Sequence, residues 1–168
     1  RADTIFGVDF IVLAPEHNLV NLITLKENRE EVDLYVKNAK RRSERDRQSD
    51  KSITGVFTGS YAKHPFTGKK LPIWVADYVL FSYGTGAIMS VPCGDQRDWD
   101  FAQHFSIEVT NIFDGFNAIE GANEERGLKI ENSDFLNGLN VDQAINKSIE
   151  KIEDLGIGLR KINYRLRD

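Results

Sequence analysis

The chain of 168 residues has few of the residues that build disulfide frameworks, metal centres or membrane spans. Its single cysteine, Cys93, excludes an internal disulfide and is typical of a reducing compartment. Its three histidines lie far apart, without cysteine partners at ligand spacing, which argues against a metal site. No apolar run approaches the roughly 20 residues that span a bilayer, and no signal-peptide pattern opens the chain. We therefore expect a cytoplasmic domain with neither metal nor membrane contact.

What the chain does contain is the composition of an ordinary globular domain, with 40% hydrophobic and 29% charged residues. Its length suits one domain with a sizeable core. The net charge of −4 means that bulk electrostatics alone would not hold nucleic acid. Because the chain starts at Arg1 rather than methionine and ends in the charged run 163–168, we interpret residues 1–168 as one domain of a longer protein.

Hydrophobic periodicity predicts several strands with helices set between them. Helices are expected at 17–23, 28–47, 95–105 and 141–155. Strands are expected at 3–14, 54–61, 71–81, 87–91, 108–113, 128–130 and 160–166. Regular βαβ alternation is missing, which favours an α+β domain with a mixed, β-barrel-like sheet flanked by helices.

The stretch 83–102, YGTGAIMSVPCGDQRDWDFA, concentrates turn, strand and helix-start signals. Gly84 and Gly86 predict positive φ angles and a close approach of backbone to ligand. After a short buried strand, Asp95 is placed to cap a helix, with Asp98 three residues later in the capping-box position. Carboxylates at a strand-to-helix junction provide a natural place to hold a cationic ligand group.

The second half of the predicted 28–47 helix is strongly basic, with cations at Lys37, Lys40, Arg41, Arg42, Arg45 and Arg47. Cations near a helix C-terminus interact favourably with its dipole. A solvated basic face is therefore the favoured interpretation, and a patch that contacts RNA is the alternative.

The central stretch closely resembles the editing domain of leucyl-tRNA synthetase. Further segments resemble the same family in order: RADTIFGVDFIVLAP at 1–15, the hairpin ending PIWVADYVL at 72–80, FLNGL at 135–139 and NYRLRD at 163–168. Synthetases that edit isoleucyl- and valyl-tRNA share the GTG turn and a downstream aspartate, but not this phrasing. The resemblance covers nearly the whole chain.

The resemblance implies a β-barrel flanked by helices, inserted into the catalytic domain of a class I synthetase. Its expected task is post-transfer editing, the hydrolysis of the ester between a noncognate amino acid and the 3′ adenosine of leucine tRNA. A synthetic site alone rejects near-isosteres weakly, since one methylene is worth only about 1–3 kcal/mol. The expected partners are the tRNA 3′ end and the rest of the synthetase. No cofactor is expected in this domain, because ATP is used by the absent catalytic domain.

The resemblance also implies roles for individual residues. Asp98 corresponds to the acid that binds the α-ammonium of the substrate, a role compatible with helix capping. Thr4 corresponds to the threonine that crowds the γ-methyl of leucine and so protects the correct product; without the resemblance it is a strand threonine. Met89 corresponds to a pocket residue whose backbone carbonyl helps hold the amino group, and its side chain also suits a core strand.

Four further residues complete the expected site. Tyr83 and Ile88 either line the amino-acid pocket or belong to the core. Arg1 corresponds to an arginine near the terminal adenosine. Asp95 caps the helix, positions Arg97 or approaches the ribose, and capping is the favoured role.

The chain departs from the family pattern at the site. Gly94 stands where the family has histidine, Cys93 where it has alanine or glycine, and Ala2 where it has proline. The two threonines that precede the arginine in the family lie outside this sequence. Cys93 is either a nucleophile or a small buried residue; with no histidine near it in sequence, the buried residue is favoured.

Two other functions compete with editing. The chain could be a non-catalytic module that positions RNA, which Gly94 and the basic helix allow. It could also be a small-molecule esterase or a deaminase-like enzyme that acts without tRNA. Neither explains the in-order resemblance, so editing is the favoured prediction.

Overall fold

The computed structural model describes residues 1–82, 84–125 and 127–160 of the chain. Its strands are β1 (Phe10–Leu13), β2 (Val56–Lys63), β3 (Lys70–Val75) and β4 (Ala87–Ser90). Its helices are α1 (Leu19–Ile23), α2 (Arg29–Ala39), α3 (Glu44–Ser49), α4 (Gln96–His104) and α5 (Val141–Asp154). Three short 3-10 segments cover Ala2–Gly7, Lys26–Asn28 and Asp134–Leu136.

The four strands form one mixed sheet in the order β2-β3-β1-β4. Strand β1 runs parallel to β3 and antiparallel to β4, whereas β2 and β3 form an antiparallel pair. The α+β class with a mixed sheet and flanking helices is therefore confirmed. Within the described residues the sheet stays open, with β2 and β4 at its edges, rather than closing into a barrel.

Successive side chains of β1 point to opposite faces of the sheet, and each face packs against a different helix. Phe10 and Val12 point to the cluster that contains Phe101 of α4, and the rings of Phe10 and Phe101 stack with centroids 5.2 Å apart. Leu13 points to the opposite cluster, which contains Val32 of α2. The sheet is thus buried between α4 on one side and α2 on the other.

A third cluster lies beneath α5, and it gathers residues from the first turn and from the long loops. A buried carboxylate, Asp9, holds these loops against the sheet. Its oxygens accept hydrogen bonds from the backbone N–H of Thr110 at 2.8 Å and from the Thr110 hydroxyl at 2.6 Å. Lys69 adds an ion pair at 2.9 Å. Satisfied on all sides, the carboxylate joins three distant parts of the chain.

Two of the predicted elements are shorter than expected. The strand at 3–14 is wrong over its first half, because Thr4 and Val8 donate to the carbonyls of Arg1 and Ile5 and close 3-10 turns. The single helix at 28–47 is also wrong. The chain turns after Ala39, and α3 begins at Glu44 after the N-cap Ser43, which forms a capping box with Asp46.

The strand predicted at 108–113 does not form within the described residues, where only a Phe113–Ile130 bridge occurs. The backbone N–H of Thr110 donates to the Asp9 carboxylate, and that of Phe113 donates to the Asn111 side chain. Side chains therefore satisfy the groups that a ladder would have used. The short strand at 128–130 reduces to the same bridge.

The strand at 71–81 ends at Val75, where a turn begins, and the strand predicted at 160–166 lies outside the described residues beyond Arg160. The helices predicted at 17–23 and 141–155 are confirmed, with Gly156 at φ +66° just past the end of α5. The apolar stripe predicted for α2 is also confirmed, since Val32 and Ala39 are buried.

Gly59 of β2 should be the most sensitive glycine to substitution. It has φ +82°, and an added Cβ would lie 2.5 Å from Asn28 Oδ1 and 2.9 Å from Leu25 Cγ. Gly59→Ala should lower the free energy of unfolding by about 2–4 kcal/mol through strain and overpacking. Gly68→Ala is the matched control, because φ is +72° there but the nearest atom lies 3.7 Å away. Equal losses in denaturant unfolding would show that packing at Gly59 contributes nothing.

Candidate functional site

A cleft of about 630 Å³ opens where edge strand β4 meets the N-terminus of α4. We call it the site cleft. It brings together five of the seven predicted site residues, Arg1, Ile88, Met89, Asp95 and Asp98. A second cleft of about 510 Å³, the side cleft, adjoins it and shares part of its wall, namely Gln48, Tyr78, Asp95 and Arg97.

Asp98 is the most enclosed ionisable group in the site cleft, with 5% of its surface exposed. Its carboxylate accepts a hydrogen bond from the Tyr78 hydroxyl at 2.8 Å and from the backbone N–H of Val91 at 2.9 Å. Val91 is the first residue after β4, so the strand end and the helix start hold the carboxylate together. The predicted capping-box role is wrong, because the side chain turns to Tyr78 and Val91 instead of back to Asp95.

Burial and the negative charge of Asp95 raise the pKa of Asp98 from 3.8 to about 6, against the lowering effect of its hydrogen bonds. Within the described residues no Lys, Arg or His side chain lies at ion-pair distance from it. A partly desolvated carboxylate without a cation would gain from a positive group entering the cleft. This is the electrostatic property that the sequence pattern at the strand-to-helix junction predicts.

Tyr78 is a site residue that the sequence reasoning missed. It lies in the turn after β3, donates its hydroxyl hydrogen to Asp98 and lines both clefts. Burial raises the pKa of Tyr78 well above its ordinary value, so the hydroxyl stays a donor at neutral pH. The only available signal was an aromatic residue with a polar tip in a region otherwise expected to be a strand.

Asp95 caps α4, as favoured from the sequence. One carboxylate oxygen accepts from the backbone N–H of Arg97 at 3.0 Å and of Asp98 at 3.1 Å. The side chain remains exposed and lines both clefts. Asp95 therefore fixes the start of the helix that carries Asp98, and its charge raises the pKa of that neighbour.

Arg1 lies at the rim of the site cleft, where Asp3 holds it. The Arg1 guanidinium contacts both carboxylate oxygens of Asp3, with a shortest distance of 2.7 Å, while the Asp3 side chain is fully buried. These hydrogen bonds raise the pKa of Arg1. The sequence reasoning missed Asp3, whose only signal was an acid two residues after an arginine.

Two predicted residues do not appear on the described wall of the site cleft. Thr4 is 3% exposed, and its hydroxyl donates to the carbonyl of Arg1 at 2.9 Å. It is therefore one step behind the rim, in contact with Arg1. Tyr83 lies outside the described residues.

Ile88 and Met89 serve both the cleft and the core. Both are half-buried on β4 and both line the site cleft. Ile88 packs against the cluster of Phe10 and Phe101, and Met89 packs against the cluster that contains Cys93. The two interpretations left open for Ile88 are thus compatible.

The glycine turn before β4 has the predicted geometry, with φ of +68° at Gly84 and +72° at Gly86. Gly86 is buried, and an added Cβ would come within 2.8 Å of the Phe81 ring. Its carbonyl accepts from the backbone N–H of Ala14 at 2.8 Å, which joins the turn to the end of β1.

Cys93 is fully buried, and burial raises the pKa of its thiol to about 12. It is therefore a neutral thiol at physiological pH, and the small buried residue favoured from the sequence is confirmed. A Cβ added at neighbouring Gly94 would lie 3.5 Å from Phe113 and Val91, at ordinary contact distance. The backbone there leaves room for a side chain.

Residues 1–82, 84–125 and 127–160 contain no group of three or more His, Cys, Asp or Glu placed to hold a metal ion. In the same part of the chain, every helix is too short or too polar to cross a bilayer.

The chain matches known proteins along its full length. The model of the family "Leucyl-tRNA synthetase, editing domain" matches residues 1–153. A leucine–tRNA ligase of Christiangramia forsetii is 55% identical over 170 residues, and one of Porphyromonas gingivalis is 51% identical over 175 residues; each alignment covers 100% of this chain.

A solved structure has the same fold. It is the ternary complex of Agrobacterium radiobacter K84 agnB2 LeuRS-tRNA-LeuAMS, with a TM-score of 0.73 and 28% sequence identity over 98% of this chain. The chain spans only 18% of that protein and 18–19% of the two ligases. By its residues, its fold and its matches, the chain belongs to the editing-domain family of leucyl-tRNA synthetases.

Proposed function

We propose that this chain hydrolyses the ester between a noncognate amino acid and the terminal adenosine of leucine tRNA. The observation that carries the proposal is the buried carboxylate of Asp98, which has no cationic partner among the described residues and faces a cleft of about 630 Å³. An aminoacyl ester presents one ammonium group beside its scissile carbonyl. A carboxylate that binds this group fixes the position of the reacting carbon.

In the proposed complex, Asp98 and the backbone carbonyl of Met89 bind the ammonium group. The side chains of Ile88 and Met89 form the wall for the amino-acid side chain. Arg1 lies towards the terminal adenosine, and Asp3 holds its guanidinium in place.

The reaction itself uses water as the nucleophile, with no covalent intermediate and no cofactor in this domain. Water attacks the ester carbonyl, the tetrahedral intermediate collapses, and the ribose oxygen leaves with a proton. Backbone N–H groups around Gly84–Gly86 or in Pro92–Asp95 stabilise the oxyanion. In the second segment Pro92 has no N–H and that of Gly94 already donates to the Val91 carbonyl, which leaves the N–H groups of Cys93 and Asp95. The vicinal ribose hydroxyl orients the water. The products are the free amino acid and a tRNA ready for another round of charging.

The parent enzyme gives this chemistry its context. Since the matched relatives are ligases about five times longer than this chain, we propose that the domain works within a leucine–tRNA ligase, whose other parts bind ATP and activate leucine. A module that only positions RNA is the competing function, because Gly94 replaces the histidine of the family pattern.

Asp98→Asn should abolish hydrolysis and leave the fold intact. Loss of the charge removes the anchor for the ammonium, so kcat/KM for leucine tRNA charged with norvaline or isoleucine should fall at least about a hundredfold. The shift of the Asp98 pKa to about 6 corresponds to a destabilisation on the order of 3 kcal/mol at neutral pH. The neutral amide escapes that cost, so thermal unfolding should show a folded variant. A folded, fully active variant would contradict the proposal.

The pH profile should report the ionisation of Asp98. Its pKa is raised on folding, so its carboxylate takes up protons below about pH 6, and kcat/KM should decline there as the ammonium anchor becomes neutral. The same shift makes the folded state lose stability as pH rises from about 4 to about 6.

Asp95→Asn should shift the acid limb of the pH profile, the decline of kcat/KM at low pH, to lower pH. The substitution removes the charge that raises the pKa of Asp98, yet asparagine still caps α4. Asp100→Asn on the same helix is the matched control, since its charge is not among the causes of the shift. An acid limb that stays in place in Asp95→Asn would contradict the assignment to Asp98.

Thr4→Ala should allow leucyl-tRNA to be cleaved, whereas Thr4→Val should not. Thr4 lies behind Arg1 at the rim, and we propose that its bulk there keeps leucine out; alanine removes this bulk, whereas valine retains it and loses only the hydrogen bond to Arg1. Deacylation of leucyl-tRNA by each variant is the measurement. If both variants cleave it, the hydrogen bond to Arg1 rather than steric exclusion protects leucine; if neither does, Thr4 has no part in selectivity.

A further inference from the structure

We propose that four exposed cations between the last turn of α2 and the start of α3, Lys37, Lys40, Arg41 and Arg45, bind the phosphates of the single-stranded RNA end that enters the site cleft. We call these four residues the basic surface. The proposal rests on the function proposed above, because it concerns the same RNA substrate.

The basic surface concentrates positive charge in an acidic chain. Between residues 37 and 51 the sequence has seven cationic and three anionic side chains, a local excess of four positive charges in a chain whose net charge is −4. A polyanion would be repelled by the chain as a whole. Binding of an RNA strand therefore requires a local surface of this kind.

The acids of this segment are occupied by the fold, which leaves the cations available. Glu44 accepts from the backbone N–H and hydroxyl of Ser82, and Asp46 closes the capping box with Ser43. Asp50 pairs with Arg42 at 2.6 Å. By contrast, the four side chains of the basic surface are exposed and have no ion-pair partner within residues 1–82, 84–125 and 127–160.

Helix α3 links the basic surface to the two clefts, because it carries Arg45 as well as a residue that lines both clefts. Gln48, one helical turn after Arg45, lines both the site cleft and the side cleft. The helix is held firmly, because the guanidinium of Arg47, almost fully buried, pairs with Glu16 at 2.9 Å. A strand of RNA lying along the cations would thus be delivered to the cleft at a fixed position.

The charges divide the work between the two parts of the substrate. Inside the site cleft, Asp95 and Asp98 suit a cationic amino group, and Arg1 and Arg97 on the same wall balance their charge. The basic surface suits phosphate and lies outside the cleft. The arrangement favours a substrate with a positive group at its tip and a polyanionic chain behind it, as in an aminoacylated RNA.

The test replaces Arg41 and Arg45 together with glutamine, in the intact protein that carries this chain. KM for mischarged leucine tRNA should rise about three- to tenfold. In a plot of the logarithm of the RNA-binding constant against the logarithm of salt concentration, the slope should become shallower by roughly 1.4, as expected for two lost contacts to single-stranded RNA. KM for the 3′-aminoacyl ester of adenosine should stay unchanged in this variant, because that small substrate has no phosphate chain for the basic surface to bind. Lys129→Gln with Lys147→Gln, two exposed cations outside the basic surface, is the matched control.

Binding of an RNA oligonucleotide that ends in adenosine and carries no amino acid separates this proposal from the proposed function on which it rests. If the natural sequence hydrolyses no aminoacyl ester, the proposed function fails, and the binding comparison still decides the basic surface. Weaker binding with a smaller salt slope in the arginine double variant, but not in the lysine control, supports the surface. Unchanged binding and an unchanged salt slope in the folded double variant, judged by thermal unfolding, would overturn it.

Discussion

The candidate site depends on one buried interaction, the carboxylate of Asp98 between the Tyr78 hydroxyl and the Val91 N–H. Each partner comes from a different element: the turn after β3, the end of β4 and the first turn of α4. The carboxylate therefore joins three elements at the point where the cleft opens. Two hydrogen bonds compensate only part of the cost of burial, since the pKa still rises to about 6. The fold thus keeps a charged group in a position that favours binding over stability.

The surrounding structure maintains this position in two ways. Asp95 caps α4 and so fixes the rotation of the helix that presents Asp98. Phe101, one turn further along the same helix, stacks on Phe10 and anchors the helix to the central strand β1. The polar side of α4 therefore forms the site while its apolar side forms the core. A change in packing at Phe101 would therefore shift the position of the Asp98 carboxylate.

Local patterns in the sequence predicted the elements around Asp98 better than they predicted strands and contacts that depend on distant segments. The strand, stop and cap between Ala87 and Asp98 are encoded by neighbouring residues, so they were predictable and are confirmed. The strand expected at 108–113 fails because Asp9, about a hundred residues away, takes its backbone hydrogen bond. Tyr78 was missed for the same reason, since its role exists only where distant segments meet. The capping-box role of Asp98 was wrong because a hydrogen-bond partner outside the helix competed for its side chain.

Gly94 separates the architecture of the site from its chemistry. The resemblance predicts histidine there, and the backbone at Gly94 has an ordinary φ and room for a side chain. The hydrogen bonds of the Asp98 carboxylate come from Tyr78 and Val91, so none of them depends on a side chain at position 94. In the proposed reaction, ammonium binding and hydrogen bonding to the oxyanion use groups that this chain has, whereas any contribution of the histidine to water or to the adenosine would come from elsewhere. Because the proposed ammonium anchor would bring the scissile carbonyl to a fixed place, positioning is the part of the proposed catalysis that needs no histidine at position 94.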